Sequence, residues 1–201
     1  MNFGSENSFY QIQKSQDTDH EWRVTTDHDG DGVFSRTQDT LNIPIYFGSA
    51  ELLSATGPSQ VVAGQAASFL FRAEDNYYNV DENFEGKLTV NDMEGNTLTS
   101  DINLVNGLAR ADITFNSPGP QRLSLSIDGT ALTGTSNPLR VFDTTLPEHK
   151  IYWGDVHGHT GLSDGLATDI NEYFDYGKNI AALDIISLTD HGSPDWEATI
   201  A

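Results

Sequence analysis

Apolar and polar residues alternate in short runs between Leu41 and Phe142. Three runs place apolar residues at every second position: Ala67, Phe69, Phe71 and Ala73; Ala109, Ala111, Ile113 and Phe115; and Leu123, Leu125 and Ile127. Because successive side chains of a strand point to opposite faces, each run predicts a strand with one buried face. Turn sequences such as Asn106-Gly107 and Asp128-Gly129 separate the runs. The pattern predicts a mainly β chain with an antiparallel, immunoglobulin-like β-sandwich over residues 41–143.

A different pattern comes after the sandwich. Residues 144–150 are polar and contain one proline, which is typical of a linker. Ile151-Tyr152-Trp153 opens a strand, residues 168–180 have the spacing of an amphipathic helix, and residues 183–188 form an apolar run typical of a strand buried on both faces. Strand, helix and strand together predict a parallel β-α-β unit within residues 151–201.

Residues 1–40 are polar and include one short segment with acidic side chains at alternating positions. Asp27, Asp29 and Asp31 precede a glycine, as in the first half of an EF-hand calcium loop, where carboxylates converge on one hard cation. Gln38 stands at the twelfth position, where an EF-hand has a bidentate Glu, and the residues after it have the pattern of a strand. We therefore expect a calcium-binding loop of another kind, with a solvated acidic turn as the alternative.

The charge of the chain limits the classes of molecule that it can bind. Thirty Asp and Glu against ten Lys and Arg give a formal charge of -20, which repels nucleic acid as a bulk partner. No cysteine is present, so any metal must be held by His and carboxylates. We find no apolar run long enough to span a bilayer and expect no export signal in Met1 to Tyr10. The sandwich and the acidity favour a periplasmic or extracellular location.

Potential metal ligands come after both strands of the predicted β-α-β unit. His157 and His159 come after the first strand, Asp164 is a few residues further on, and Asp190 and His191 come after the second strand. Because the carboxyl ends of parallel strands meet at one edge, we expect these side chains to lie close together. A His-x-His pair on an extended segment sends both imidazoles to one side, where they can hold one cation. Asp190 is placed to orient a ligand and is our candidate catalytic residue.

The motifs of this region resemble those of a known superfamily. His157-Gly158-His159-Thr160, Ser163-Asp164-Gly165 and Thr189-Asp190-His191 are similar in type, order and spacing to the first two motifs of the polymerase and histidinol phosphatase (PHP) superfamily. With a sandwich before it, the chain resembles an uncharacterised bacterial family in which an immunoglobulin-like region precedes a PHP-like domain.

The resemblance implies that residues 151–201 are the first β-α-β segment of a truncated β/α barrel of the TIM type. It implies two or three divalent transition metals, with Zn or Mn favoured, and His157, His159, Asp164 and His191 as ligands. Metal-activated water would then hydrolyse a small, phosphorylated substrate. The remaining ligands would lie beyond residue 201, so we expect the chain itself to be inactive.

Two other functions fit the same residues. The amidohydrolase group also places a His-x-His pair at the end of a first barrel strand. Alternatively, the sandwich and the loop at Asp27 to Asp31 form a non-catalytic, calcium-stabilised adhesion or carbohydrate-binding module.

Overall fold

The computed structural model describes residues 21–26, 30–32, 36–42, 46–163, 165 and 170–191. Its first element is a hairpin of strands β1 (Glu21–Thr26) and β2 (Arg36–Asn42), which pair in antiparallel fashion. The strand expected after Gln38 begins earlier, at Arg36. Two strands therefore flank the acidic loop where an EF-hand would have helices.

Ten strands between Leu52 and Phe142 form the sandwich: β3 (Leu52–Thr56), β4 (Gln60–Val62), β5 (Ala66–Glu74), β6 (Gly86–Asn91), β7 (Thr97–Leu104), β8 (Leu108–Thr114), β9 (Gly119–Gln121), β10 (Ser124–Ile127), β11 (Thr133–Ser136) and β12 (Leu139–Phe142). One sheet has the order β7-β6-β10-β11-β3-β5-β8, and the other has the order β4-β12-β9. The mainly β, immunoglobulin-like sandwich predicted from the alternation is confirmed.

The core lies where the alternation predicts it. Phe69, Phe71, Leu123 and Leu125 are at most 1% exposed, and Phe69 packs against Phe71 with ring centroids 6.3 Å apart. The hairpin turn between β7 and β8 is also as predicted, because Asn106 and Gly107 both adopt positive φ, at 51° and 73°.

The chain enters and leaves the sandwich at opposite ends of β5. On entering, Leu52 pairs with Glu74, the last residue of β5. On leaving, Phe142 accepts a hydrogen bond from the amide of Ala63, just before β5 begins at Ala66. Since β5 has nine residues, the two points are about 30 Å apart along the strand.

Two buried aspartates hold the chain where it enters. Asp75 Oδ2 accepts from the amide of Gly48, and Asp81 Oδ2 accepts from the amide of Ala50, both at 2.9 Å. Burial alone would raise the pKa of Asp75, but hydrogen bonds from Gly48, Asn79 and Tyr77 outweigh it and lower the pKa below 3.8. These carboxylates fix the segment that leads into β3.

After the sandwich, strands β13 (Gly154–Asp155) and β14 (Ile185–Ile186) pair in parallel on either side of helix α1 (Ile170–Asn179). The order strand, helix, strand and the parallel pairing are as predicted. The lengths and burial of the strands differ from the prediction. Each strand has two residues, and Ile185 is 50% exposed, so residues 183–188 are not a strand buried on both faces. The described residues contain no segment of a β/α barrel, because a single short parallel pair forms no barrel wall.

Helix α1 docks on the outer face of the seven-stranded sheet through two arginines. Arg72 Nη1 donates to the carbonyl of Ile180 at 2.8 Å, and Arg110 Nη2 donates to the carbonyl of Lys178 at 3.1 Å. Both carbonyls lie at the C-terminal end of the helix, where cations are favoured. No helix among the described residues is long and apolar enough to cross a membrane.

The lowered pKa of Asp75 predicts a dependence of stability on pH. A carboxylate with a depressed folded pKa stabilises the fold above its unfolded pKa, and this contribution is lost as pH falls through the folded value. We expect wild type to lose its advantage over Asp75→Asn as pH falls below about 4, in urea unfolding between pH 3 and 7. Asp128→Asn, in an exposed turn, controls for the loss of one negative charge. Parallel profiles for wild type and Asp75→Asn would contradict the assignment.

Candidate functional site

Three imidazoles lie side by side at the carboxyl ends of β13 and β14. The ring centroids of His157 and His159 are 4.9 Å apart, and those of His159 and His191 are 4.4 Å apart. The first two histidines come after β13 and the third comes after β14, so the strand ends bring them together as the sequence analysis expects. His157 and His191 are exposed, while His159 is partly covered.

Asp190 ties the loop after β13 to the end of β14. Its carboxylate accepts hydrogen bonds from the Ser163 hydroxyl at 2.6 Å and from both the amide and the hydroxyl of Thr160 at 2.7 Å. The Ser163 hydroxyl contributes most to lowering the pKa of Asp190; desolvation opposes it, and Thr160 adds to the lowering. Thr160 is fully buried. With three donors on its two oxygens, Asp190 holds the shape of the histidine-bearing loop, and its proposed catalytic role stays a prediction.

Tyr173 of α1 completes the packing beneath the histidines, and its hydroxyl is not among the site residues predicted from the sequence. Tyr173 Oη donates to the carbonyl of Ser187 at 2.8 Å. A Cβ at Gly158 would clash with this hydroxyl, so glycine between His157 and His159 allows the tyrosine to lie against the backbone. Burial, followed by the charges of Asp155 and Asp190, raises the pKa of Tyr173. The glycine inside the His-x-His motif is the sequence signal that could have revealed this close approach.

The predicted ligand sets are only partly within the described residues. Asp164, Asp27 and Asp29 lie outside them, and Asp31 is exposed between Gly30 and Gly32, which have φ values of 75° and 86°. In the described part of the chain, no three His, Asp or Glu side chains are arranged to hold a metal ion. Transition-metal binding and calcium binding both stay predictions.

Comparisons with known proteins give fold neighbours and no family. No family model matches the chain, and no curated protein matches it. One similar solved structure is the C-terminal 282-residue fragment of intimin in complex with the intimin-binding domain of its translocated receptor, at 19% identity and a TM-score of 0.38 over 48% of this chain. This chain covers 34% of that fragment.

Two single domains are also similar. The CARDB domain of a Pyrococcus furiosus protein is 13% identical, with a TM-score of 0.34, over 50% of this chain and 95% of that domain. The PKD domain of an M14-like peptidase from a Thermoplasmatales archaeon is 13% identical, with a TM-score of 0.33, over 50% of this chain and all 100% of that domain.

The resemblance to the PHP superfamily, and the hydrolase function it implies, are wrong on these findings. No family model matches the chain, so no PHP model does. The helices needed for a PHP barrel are absent from the described residues, which contain α1 alone. Short motifs at two strand ends, with three His and two Asp, are too small a fraction of the chain to establish a barrel enzyme.

The hydrogen bonds to Asp190 predict how its loss would act. We expect Asp190→Ala to raise amide hydrogen exchange at residues 158–163 about tenfold or more, because three hydrogen bonds worth about 0.5–1.5 kcal/mol each are removed. Asp175→Ala removes an exposed carboxylate of α1 and should leave exchange in this loop unchanged. Equal exchange in Asp190→Ala and wild type would show that Asp190 does not hold the loop.

Proposed function

We propose that the chain is a non-catalytic β-sandwich spacer in an adhesion-type protein that lies outside the cell. The observation that carries this proposal is the position of the two chain connections, which leave the sandwich at opposite ends of β5. The sandwich therefore holds the points where the chain enters and leaves about 30 Å apart. The strongly acidic composition is compatible with an extracellular location and with exclusion of nucleic acid.

The first and last strands of the sandwich each pair in parallel with another strand, which suits a domain that carries load. β3 pairs in parallel with β11, and β12 pairs in parallel with β4. Tension applied where the chain enters and leaves runs along these strands. It therefore loads all the cross-strand hydrogen bonds of a pair at once, whereas tension across a hairpin breaks them one after another.

Single-molecule unfolding tests this proposal. Because the chain has no cysteine, handles can be attached through Glu51→Cys and Asp143→Cys, at the two ends of the sandwich. A control pair, Glu85→Cys and Val105→Cys, pulls across the open end of the β6–β7 hairpin, where Gly86 pairs with Leu104. We expect the first pair to rupture at clearly higher force. Rupture at equal or lower force through the two ends would contradict a load-bearing spacer.

A second proposal concerns the imidazole cluster and involves no catalysis. We propose that His157, His159 and His191 take up one divalent transition metal. Imidazoles bound to one ion at about 2.1 Å place their ring centroids about 4.5–5.2 Å apart for ligand angles between square and tetrahedral. The observed separation of 4.9 Å between His157 and His159 lies within this range, and that of 4.4 Å between His159 and His191 lies just below it. As they stand, no three His, Asp or Glu side chains of the described residues are arranged to hold a metal ion, so binding requires the rings to rotate until three nitrogens face one ion.

Calorimetric titration with zinc tests the cluster. We expect wild type to bind about one equivalent, and the His157→Ala/His159→Ala variant to bind at least tenfold more weakly, because two of three nitrogen ligands are removed. His149→Ala, which removes an exposed histidine of the linker, is the matched control and should bind as wild type does. Equal affinity in the double variant, or no binding by wild type, would exclude the cluster as a metal site.

A further inference from the structure

A cleft lies between the outer face of the seven-stranded sheet and the end of helix α1. Its volume is about 350 Å³, within the range of small-molecule sites. The sandwich and the C-terminal unit both contribute to its lining: Thr56, Gly57, Pro58, Ser68, Arg110, Lys178, Asn179, Ala182, Leu183 and Asp184.

The cleft concentrates positive charge in a chain that has little of it. Arg110 and Lys178, two of only ten Lys and Arg residues, both line it. Arg110 Nη2 donates to the carbonyl of Lys178 at 3.1 Å, which keeps the two residues adjacent. At physiological salt, charges beyond about 8 Å are screened, so nearby groups decide what binds here, and the net charge of the chain matters less.

Two carboxylates stand near these cations. Asp184 also lines the cleft, and its Oδ2 accepts from the amide of Trp153 at 2.9 Å. Asp112 lies on the same face of β8 as Arg110, two residues further along, and does not line the cleft. Among the groups that line the cleft, two positive charges therefore face one negative charge that already accepts a backbone hydrogen bond.

Hydroxyl groups and apolar walls complete the cleft. Thr56 Oγ1 accepts from Arg72 Nη2 at 2.9 Å, so its own hydrogen is free to donate to another group. The side chains of Ser68 and Asn179 can donate as well, and Pro58 and Leu183 supply apolar surface.

Arg72 lies beside the cleft and bonds to both of the parts that form it. All three guanidinium nitrogens of Arg72 donate: Nε to Ser54 and Glu74, Nη2 to Thr56, and Nη1 to the carbonyl of Ile180. Its side chain is 12% exposed. Arg72 thus joins the sheet to the end of the helix, and a ligand need not order this junction, which lowers the cost of binding.

We infer that this cleft binds a small dianion, a phosphate or a dicarboxylate, between Arg110 and Lys178, with the hydroxyls of Ser68 and Thr56 as further donors. The guanidinium and ammonium groups neutralise the ligand, and their hydrogen bonds to it are of the stronger, charge-assisted kind. This site is separate from the imidazole cluster and does not depend on the spacer function.

Nuclear magnetic resonance titration of the whole chain tests the inference, with inorganic phosphate in one arm and succinate in the other, at physiological ionic strength, where the net charge of the chain is screened. We expect the amide signals of Ser68 and Asn179 to shift with a saturable dependence on at least one ligand. Lys178→Gln should weaken this binding about tenfold, because one of the two cations is removed. Lys87→Gln is the matched control, since Lys87 pairs with Asp101 on the sandwich surface and does not line the cleft. It should change the affinity less than twofold.

Asp112→Asn gives a test of opposite sign, because it removes a negative charge from the same face of β8 and should tighten binding. Saturation by phosphate alone would identify a phosphate site, and saturation by succinate alone would identify a carboxylate site. No saturable shift with either ligand, or equal weakening by Lys87→Gln and Lys178→Gln, would overturn the inference.

Discussion

Strand β5 is the constraint on which the rest of the structure depends. Its inward side chains Phe69 and Phe71 are almost fully buried and form the centre of the core. Its two edges pair with β3 and β8, so it lies one strand in from the β8 edge of the larger sheet. Its outward residue Arg72 holds the end of helix α1. Its length sets the distance between the points where the chain enters and leaves the sandwich.

The outward face of β5 explains how the two parts of the chain are joined. Leu70 has the position of a solvent-facing residue in the alternation, yet it is 2% exposed. It pairs with Thr56 on one side and with Arg110 on the other, and both of these line the cleft beneath the end of α1. The docked helix end therefore turns this part of the sheet into an interior layer, and polar side chains there hold backbone carbonyls of the helix.

How much the sequence could predict differs between the two parts. The sandwich was predictable because burial of one face imposes a period of two, which is visible at Phe69, Phe71 and Leu125, and because Asn106-Gly107 suits a tight hairpin. The prediction for the apolar run 183–188 was wrong, because the described strand there is only Ile185–Ile186. Hydrophobicity alone does not determine how many neighbouring strands are present to bury such a run. The proximity of the histidines was predictable from the parallel pairing. The function was not, since a motif at a strand end fixes neither a barrel nor a reaction.

The central claim is that the sandwich separates its two chain connections. The most direct measurement is the distance between spin labels at Glu51→Cys and Asp143→Cys, obtained by double electron–electron resonance. The account predicts a distribution centred at roughly 30 Å, the length of a nine-residue strand. A distribution centred below about 15 Å would place both connections at the same end of the domain and would contradict the spacer function.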